Sequence, residues 1–343
     1  MKHIWLHTVR AYIKLGLFFY FKEIRVVDAK YIPKDKPVLF LSNHQNALLD
    51  ALLIATSYSR FSYFLTRASV FKKSLVSRLL KSLQMLPVYR IRDGWSNISN
   101  NTSIFNSCAD LLHQNKAVVI FPEGSHNLNR TVRPLSKGFT RIVFDTLEKF
   151  PDSDLQLIPV GLNFVNAKDF PDSTSIYFGK PIAAESFLSN NRNDDVVNLK
   201  HKIHSEISKL TTHIPTESYA ETIKKLNALQ VDYLNPKVVN TCITNNFENC
   251  KQNPSSNLNG LRSLLKVLLI LNILLPFLIW KFVAQPKIKE IEFTSTFRFA
   301  IAITLVPLYL LIMCFALASL WTPVIGLGYL LFVLILALLA VKV

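Results

Sequence analysis

Two stretches decide the reading: Pro37-Val38-Leu39-Phe40-Leu41-Ser42-Asn43-His44-Gln45-Asn46-Ala47-Leu48-Leu49-Asp50 and Ala117-Val118-Val119-Ile120-Phe121-Pro122-Glu123-Gly124-Ser125-His126. Each begins as a short unbroken apolar run, the pattern of a strand covered on both faces, and each ends abruptly in polar residues. Further strands are expected at 61–66, 86–90, 157–161 and 175–179, with helices at 47–58, 98–114 and 135–150. Strands alternating with helices predict an α/β domain: a largely parallel sheet flanked by helices. Such sheets carry their sites beyond the carboxyl ends of the strands. His44, Glu123 and Arg90 each follow a predicted strand, so a parallel sheet brings all three to one face.

The residue types at those ends suit proton transfer and anion binding. His44 titrates near neutrality and can take a proton from an alcohol. A carboxylate on its other ring nitrogen would fix the tautomer and stabilise the imidazolium. Asp50 is the candidate. Positions six apart on one helix point in different directions, about 240° apart. His44 is therefore expected in the turn and Asp50 in the first turns of the following helix. Ser125 lacks a Gly-x-Ser-x-Gly elbow and is not read as a nucleophile. His201 and His204 have no acidic partner at ligand spacing and are read as a solvated helix face, so no metal is expected. The four cysteines, Cys108, Cys242, Cys250 and Cys314, show no Cys-x-x-Cys pair and are read as reduced thiols.

Apolar residues concentrate toward the C-terminus. Residues 299–341 contain no charge over 43 positions, enough for two membrane spans of about 20 residues each. The break falls at Trp321-Thr322-Pro323. A shorter apolar run, 267–280, is flanked by Lys266 and Lys281. It is read as a span over 261–284, with a re-entrant or interfacial helix as the alternative. The N-terminal segment mixes aromatic and basic residues and is interrupted by Arg10 and Lys14, which fits an interfacial helix better than a signal peptide. The net charge is +16. A basic globular part joined to spans favours anionic headgroups or phosphorylated substrates as partners. No nucleic-acid-binding pattern is present, so nucleic acid is excluded as a partner. The expected organisation is an N-terminal interfacial helix at 1–24, an α/β domain at 25–190 and a polar helical extension at 191–260. A membrane region at 261–343 follows, with spans near 261–284, 299–320 and 322–341.

The ordered pair of motifs, Asn43-His44 with Asp50 and then Phe121-Pro122-Glu123-Gly124, resembles the phospholipid/glycerol acyltransferase family over about residues 35–185. The resemblance implies a catalytic role for His44 and Asp50. It makes Asn43, Arg90, Glu123, Gly124 and Lys137 substrate-binding residues, with Arg90 and Lys137 at the acceptor phosphate, Arg67, Arg92 and Arg141 as weaker phosphate candidates, and backbone N–H groups near Gly124 as candidate oxyanion donors. Five residues separate His44 from Asp50 where four are usual. That spacing looks like the glycerol-3-phosphate and dihydroxyacetone-phosphate acyltransferase branch. So do Leu135-Ser136-Lys137-Gly138, Gly161-Leu162-Asn163 and Phe178-Gly179-Lys180-Pro181-Ile182. A single glycine between Glu123 and Ser125 departs from the branch pattern.

The implied activity is acyl transfer from a thioester, acyl-CoA or acyl carrier protein, to the hydroxyl of glycerol-3-phosphate or a related glycerophosphate. No cofactor is implied beyond that co-substrate. Lysophosphatidate acylation and phospholipid–lysophospholipid acyl exchange are the alternatives. A non-catalytic lipid-binding protein is disfavoured by the intact His44, Asp50, Arg90 and Glu123. Membrane lipids are the expected surroundings. The site is expected to face the cytosol, at the cytoplasmic membrane in a bacterial cell, with the spans acting mainly as an anchor.

Overall fold

The computed structural model describes residues 2–89, 101–248, 250 and 258–343. The chain opens with helix α1 (Lys2–Tyr20) and strand β1 (Phe21–Val27). The expected N-terminal helix thus stops short of residue 24. Phe21-Lys22-Glu23-Ile24-Arg25-Val26-Val27 carries β-branched residues and a fully buried Phe21, which suit a strand better than a further turn of amphipathic helix. There follow β2 (Val38–Ser42), α2 (Ala47–Ser57), β3 (Ser62–Arg67), α3 (Ser74–Ser82), β4 (Met85–Val88), α4 (Asn101–His113) and β5 (Ala117–Ile120). Helix α5 (Gly138–Lys149), β6 (Gln156–Phe164), β7 (Asp172–Phe178) and the short β8 (Ile182–Ala183) complete the sheet region.

Among the described residues the strands form one sheet in the order β1-β7-β6-β2-β5-β3-β4, with β8 pairing β6. The run β6-β2-β5-β3-β4 is parallel throughout. Strand β7 is antiparallel to β6, and β1 is parallel to β7. This is the expected largely parallel α/β architecture.

β2 lies at the centre and is buried along its whole length. Its alternation splits the core into two layers. Leu39 and Leu41 join Phe105, Phe139, Val143 and Ile203 under α4, α5 and α6 (Arg192–Leu210). Val38 and Phe40 join Leu49, Leu53, Leu17 and Phe178 under α2 and α1. Gly161 of β6 lets the end of α6 close on the sheet: a Cβ there would stand 2.1 Å from the Leu210 carbonyl oxygen.

Beyond α6, helices α7 (Tyr219–Ala228) and α8 (Pro236–Thr244) enclose a small core of Ile214, Leu226, Tyr233 and Val239. Here the expectation of reduced thiols is corrected: Cys242 and Cys250 form a disulfide. The chain turns back after α8 and places Cys250 over Cys242, although their spacing matches no familiar pair. Cys108 is a buried core residue and Cys314 sits half-buried in a membrane helix.

The membrane region begins with α9 (Asn259–Asn272) and α10 (Leu274–Leu278). This first apolar run is not one straight span. Its two halves bend by 99° at Ile273. Pro276 explains the break, because its ring clashes with the carbonyl four residues earlier, that of Asn272 where α9 stops. Among the described residues two helices are long and apolar enough to cross a bilayer: α11 (Thr294–Leu320), which continues a short helical segment from Ile291, and α12 (Pro323–Lys342). Between them Thr322 caps α12, its Oγ1 accepting from Ile325 N at 3.3 Å, with Pro323 in the first turn.

These helices do more than tether. Phe299 is almost fully buried in the core beneath α1 and α2. Arg298 donates to the Lys168 and Asp169 carbonyls and to the Tyr20 hydroxyl. Lys342 donates to the Phe21 carbonyl, and Lys22 donates to the Val343 carbonyl.

Candidate active site

His44 stands in the turn Asn43-His44-Gln45-Asn46 between β2 and α2, and Asp50 in the first turn of α2. Asp50 is fully buried, and its Oδ2 lies 2.8 Å from His44 Nδ1. The same oxygen accepts from the backbone N–H groups of Gln45 and Asn46, each at 2.8 Å. One carboxylate therefore orients the imidazole and satisfies donors that the helix start would leave unpaired. Ala47, at φ +43°, takes the left-handed conformation that this tight entry requires. With Nδ1 on Asp50, Nε2 is the ring nitrogen left to meet a substrate. Phe121 stacks on the imidazole at 4.1 Å and 17°, limiting its rotation.

The parallel register brings the second motif alongside. Leu41 of β2 pairs with Ile120 of β5, so His44 and Glu123 each lie three residues past paired positions. Asn127 N donates to the His44 carbonyl at 3.0 Å and ties the two loops together. Glu123 is almost wholly buried and paired with Arg133: Oε2 accepts from Nε at 2.9 Å and from Nη2 at 2.5 Å. Arg133 Nη1 also donates to Ser125 Oγ at 2.6 Å. Burial pushes the Glu123 carboxyl above its ordinary range, and Arg133 works against that shift. Its second oxygen, Oε1, is buried without a hydrogen-bond partner among the described residues. Gly124 has φ +71° and closes the turn, its N–H donating to the Phe121 carbonyl at 3.1 Å.

The other expected residues take varied places. Asn43 is buried, with both ends of its amide on one β6 residue: Nδ2 donates to Leu162 O at 3.0 Å and Oδ1 accepts from Leu162 N at 2.7 Å. It locks the turn to the neighbouring strand. Lys137 is exposed just before α5, and Ser136 N donates to the Pro122 carbonyl at 2.8 Å, which brings that loop to the motif. Arg90 and Arg92 lie outside the described residues. The approach to them is fixed, since the Asn101 side chain bonds both the N–H and the carbonyl of Tyr89. Arg67 ends β3 in register with Val88 of β4. Arg141 lies over Phe105, 5.2 Å from the ring centroid. His204 sits 3.1 Å from the Val132 carbonyl oxygen. No cluster of three potential metal ligands gathers among the described residues.

Sequence reasoning missed three neighbours. Arg133 belongs to no motif. Glu290 and Phe293 come from the segment entering α11. Glu290 Oε2 lies 2.9 Å from His126 Nε2, and Phe293 meets the His126 ring edge at 4.7 Å. His126 in turn stands edge-on to His44 at 5.6 Å. Burial lowers the His126 pKa, with the Glu290 hydrogen bond opposing.

The Acyltransferase family model matches residues 23–163. Over 251 residues, 68% of this chain, the sequence is 24% identical to glycerol-3-phosphate O-acyltransferase 2 of Saccharomyces cerevisiae, covering 29% of that protein. It is 24% identical over 143 residues, 40% of this chain, to a probable 1-acyl-sn-glycerol-3-phosphate acyltransferase of Mycoplasma genitalium, half of whose length is covered. The chain thus spans half or less of these curated relatives. A Thermotoga maritima structure, the 1-acyl-sn-glycerophosphate acyltransferase PlsC, aligns with a TM-score of 0.44 at 18% identity, over 60% of this chain and 81% of that one. The matched residues 23–163 carry the paired His44–Asp50 and Glu123–Arg133 loops, so the part of the chain that resembles the glycerolipid acyltransferases is the part that builds the site.

Proposed function

We propose that this protein transfers a fatty acyl group from a thioester to the hydroxyl of glycerol-3-phosphate or a related glycerophosphate, in phospholipid biosynthesis. The observation that carries the reading is the His44–Asp50 pair, 2.8 Å apart at the end of a central strand, with Glu123 at the neighbouring strand end. His44 Nε2 takes the acceptor hydroxyl proton as the oxygen attacks the thioester carbon. Asp50 holds Nδ1–H and stabilises the imidazolium. The tetrahedral intermediate collapses, the C–S bond breaks, and the departing thiolate takes the proton from the His44 imidazolium, which restores the neutral ring. The thioester is already activated, so no acyl-enzyme is required. Arg90 and Lys137 bind the acceptor phosphate, and Glu123 and the Gly124 turn line the acceptor site. Asn43 positions His44 through β6.

The donor is acyl-CoA or an acyl carrier protein thioester, and the cytosolic supply of thioesters places the site on the cytosolic side. The yeast relative supports glycerol-3-phosphate as acceptor, whereas the Mycoplasma relative supports lysophosphatidate. The test is thiol release by the purified full chain in detergent, with acyl-CoA and acyl carrier protein donors against a panel of glycerophosphate acceptors. Acceptor-dependent release with glycerol-3-phosphate is expected. Release only with lysophosphatidate transfers the reading to that acceptor, and no acceptor-dependent release with any of them refutes the activity.

A further inference from the structure

Helix α3 lies outside both sheet-flanking core layers. None of its residues is buried, although it is strongly two-sided. Leu75, Val76 and Leu79 share one face, and Leu75 is 74% and Leu79 50% exposed. Arg78 and Lys81 occupy the other side, with Lys72 and Lys73 just before the helix, all exposed. Soluble domains cover such an apolar stripe, and among the described residues nothing covers this one.

The surroundings say what covers it. Trp5 Nε1 donates to Ser82 Oγ at 3.2 Å, fastening the start of α1 to the end of α3. Helix α1 presents its own exposed Ile4, Leu15 and Phe18. It also packs directly on a membrane helix, with Gly16 of α1 against Ile303 and Phe299 of α11. The apolar stripe of α3 therefore continues that of α1, which is in contact with a candidate span. A cationic edge beside an apolar face is the arrangement of a helix lying in a headgroup region, where Lys and Arg stems lie along the apolar surface and their charges meet phosphates.

We infer that α3 is a second bilayer-docking element, with Leu75, Val76 and Leu79 among the acyl chains and its cations at anionic headgroups. The placement has a consequence for substrate delivery. The start of α3 follows the carboxyl end of β3, with residues 68–73 between them, so a lipid surface on α3 adjoins the strand-end edge that carries the candidate site.

The inference does not depend on the proposed reaction, because its test needs no turnover. The full chain, with Cys314 replaced by alanine, is placed in phosphatidylcholine–phosphatidylglycerol nanodiscs. A bimane label is attached in turn at Leu79→Cys, Leu75→Cys and, on the opposite face, Lys81→Cys. Samples that keep the parent melting temperature are quenched with 5-doxyl phosphatidylcholine or with iodide. The expected result is at least threefold stronger doxyl quenching at positions 75 and 79 than at 81, with the order reversed for iodide. Iodide quenching that is equal at all three positions, with none from doxyl lipid, would overturn the inference. Protection at 75 and 79 that appears only on adding acyl carrier protein would assign the face to a protein partner and overturn it equally.

Discussion

Replacing Arg133 with alanine should expose how the second strand end is held together. Glu123 is 3% exposed and Arg133 25%, and two of the guanidinium nitrogens share the single oxygen Oε2. Removing one partner of a buried pair costs about 3–5 kcal/mol, because the other charge is left without compensation. Arg133 keeps some contact with water, so the lower end applies, about 3 kcal/mol. For a domain of this size that corresponds to a fall of roughly 6–12 °C in melting temperature.

The loss should depend on pH. Burial already raises the Glu123 pKa above its ordinary 4.5, and losing Arg133 raises it further. A carboxyl whose folded-state pKa is raised contributes stability below its unfolded pKa and loses it as pH rises through the folded value. The variant should therefore approach wild-type stability at pH 4.5 and fall behind as the pH is brought to 8. Adding Glu123→Gln, which removes the stranded charge, should recover most of the loss. Thermal unfolding of the four proteins of this cycle in detergent, across that pH range, is the assay. A destabilisation that is constant with pH and not rescued by Glu123→Gln would show that a stranded Glu123 charge is not the cause of the loss.

Gly161→Ala forces a Cβ onto the Leu210 carbonyl and should cost about 3 kcal/mol, whereas Gly124→Ala meets open space and should cost only about 1–2 kcal/mol for its left-handed backbone; denaturation midpoints separate the two. Phe299→Ala should destabilise by about 3–5 kcal/mol if the membrane helix is part of the domain core. An unchanged melting temperature would return that helix to the role of an anchor. Arg90→Ala should raise KM for the phosphorylated acceptor far more than KM for the thioester, and equal effects on both would make Arg90 structural.

The sheet was legible because its central strands are uninterrupted apolar runs. Val38–Leu41 and Val118–Ile120 can be buried on both faces and nowhere else. His44 and Asp50 could be placed relative to each other because helix geometry forbids a pair six apart from facing across one helix, leaving the turn as the meeting point. The missed features share a different cause. β1 hid at the end of a helical pattern whose apolar residues also suit a strand. The bend at Ile273 depends on one proline in an otherwise apolar run. Arg133 sits in a loop, where no periodicity marks a partner. Glu290 reaches His126 across 164 residues of sequence. The Cys242–Cys250 bond follows from the path of the chain after α8, which spacing alone does not describe.

In the proposed reaction His44 removes the acceptor proton with Asp50 behind it. The most direct measurement is turnover of the full chain in nanodiscs, wild type against His44→Ala, at saturating thioester and glycerophosphate, with melting temperatures matched. A drop of roughly 10²–10⁴ in kcat is expected, the usual weight of a lost general base. A His44→Ala protein that turns over near the wild-type rate would contradict it.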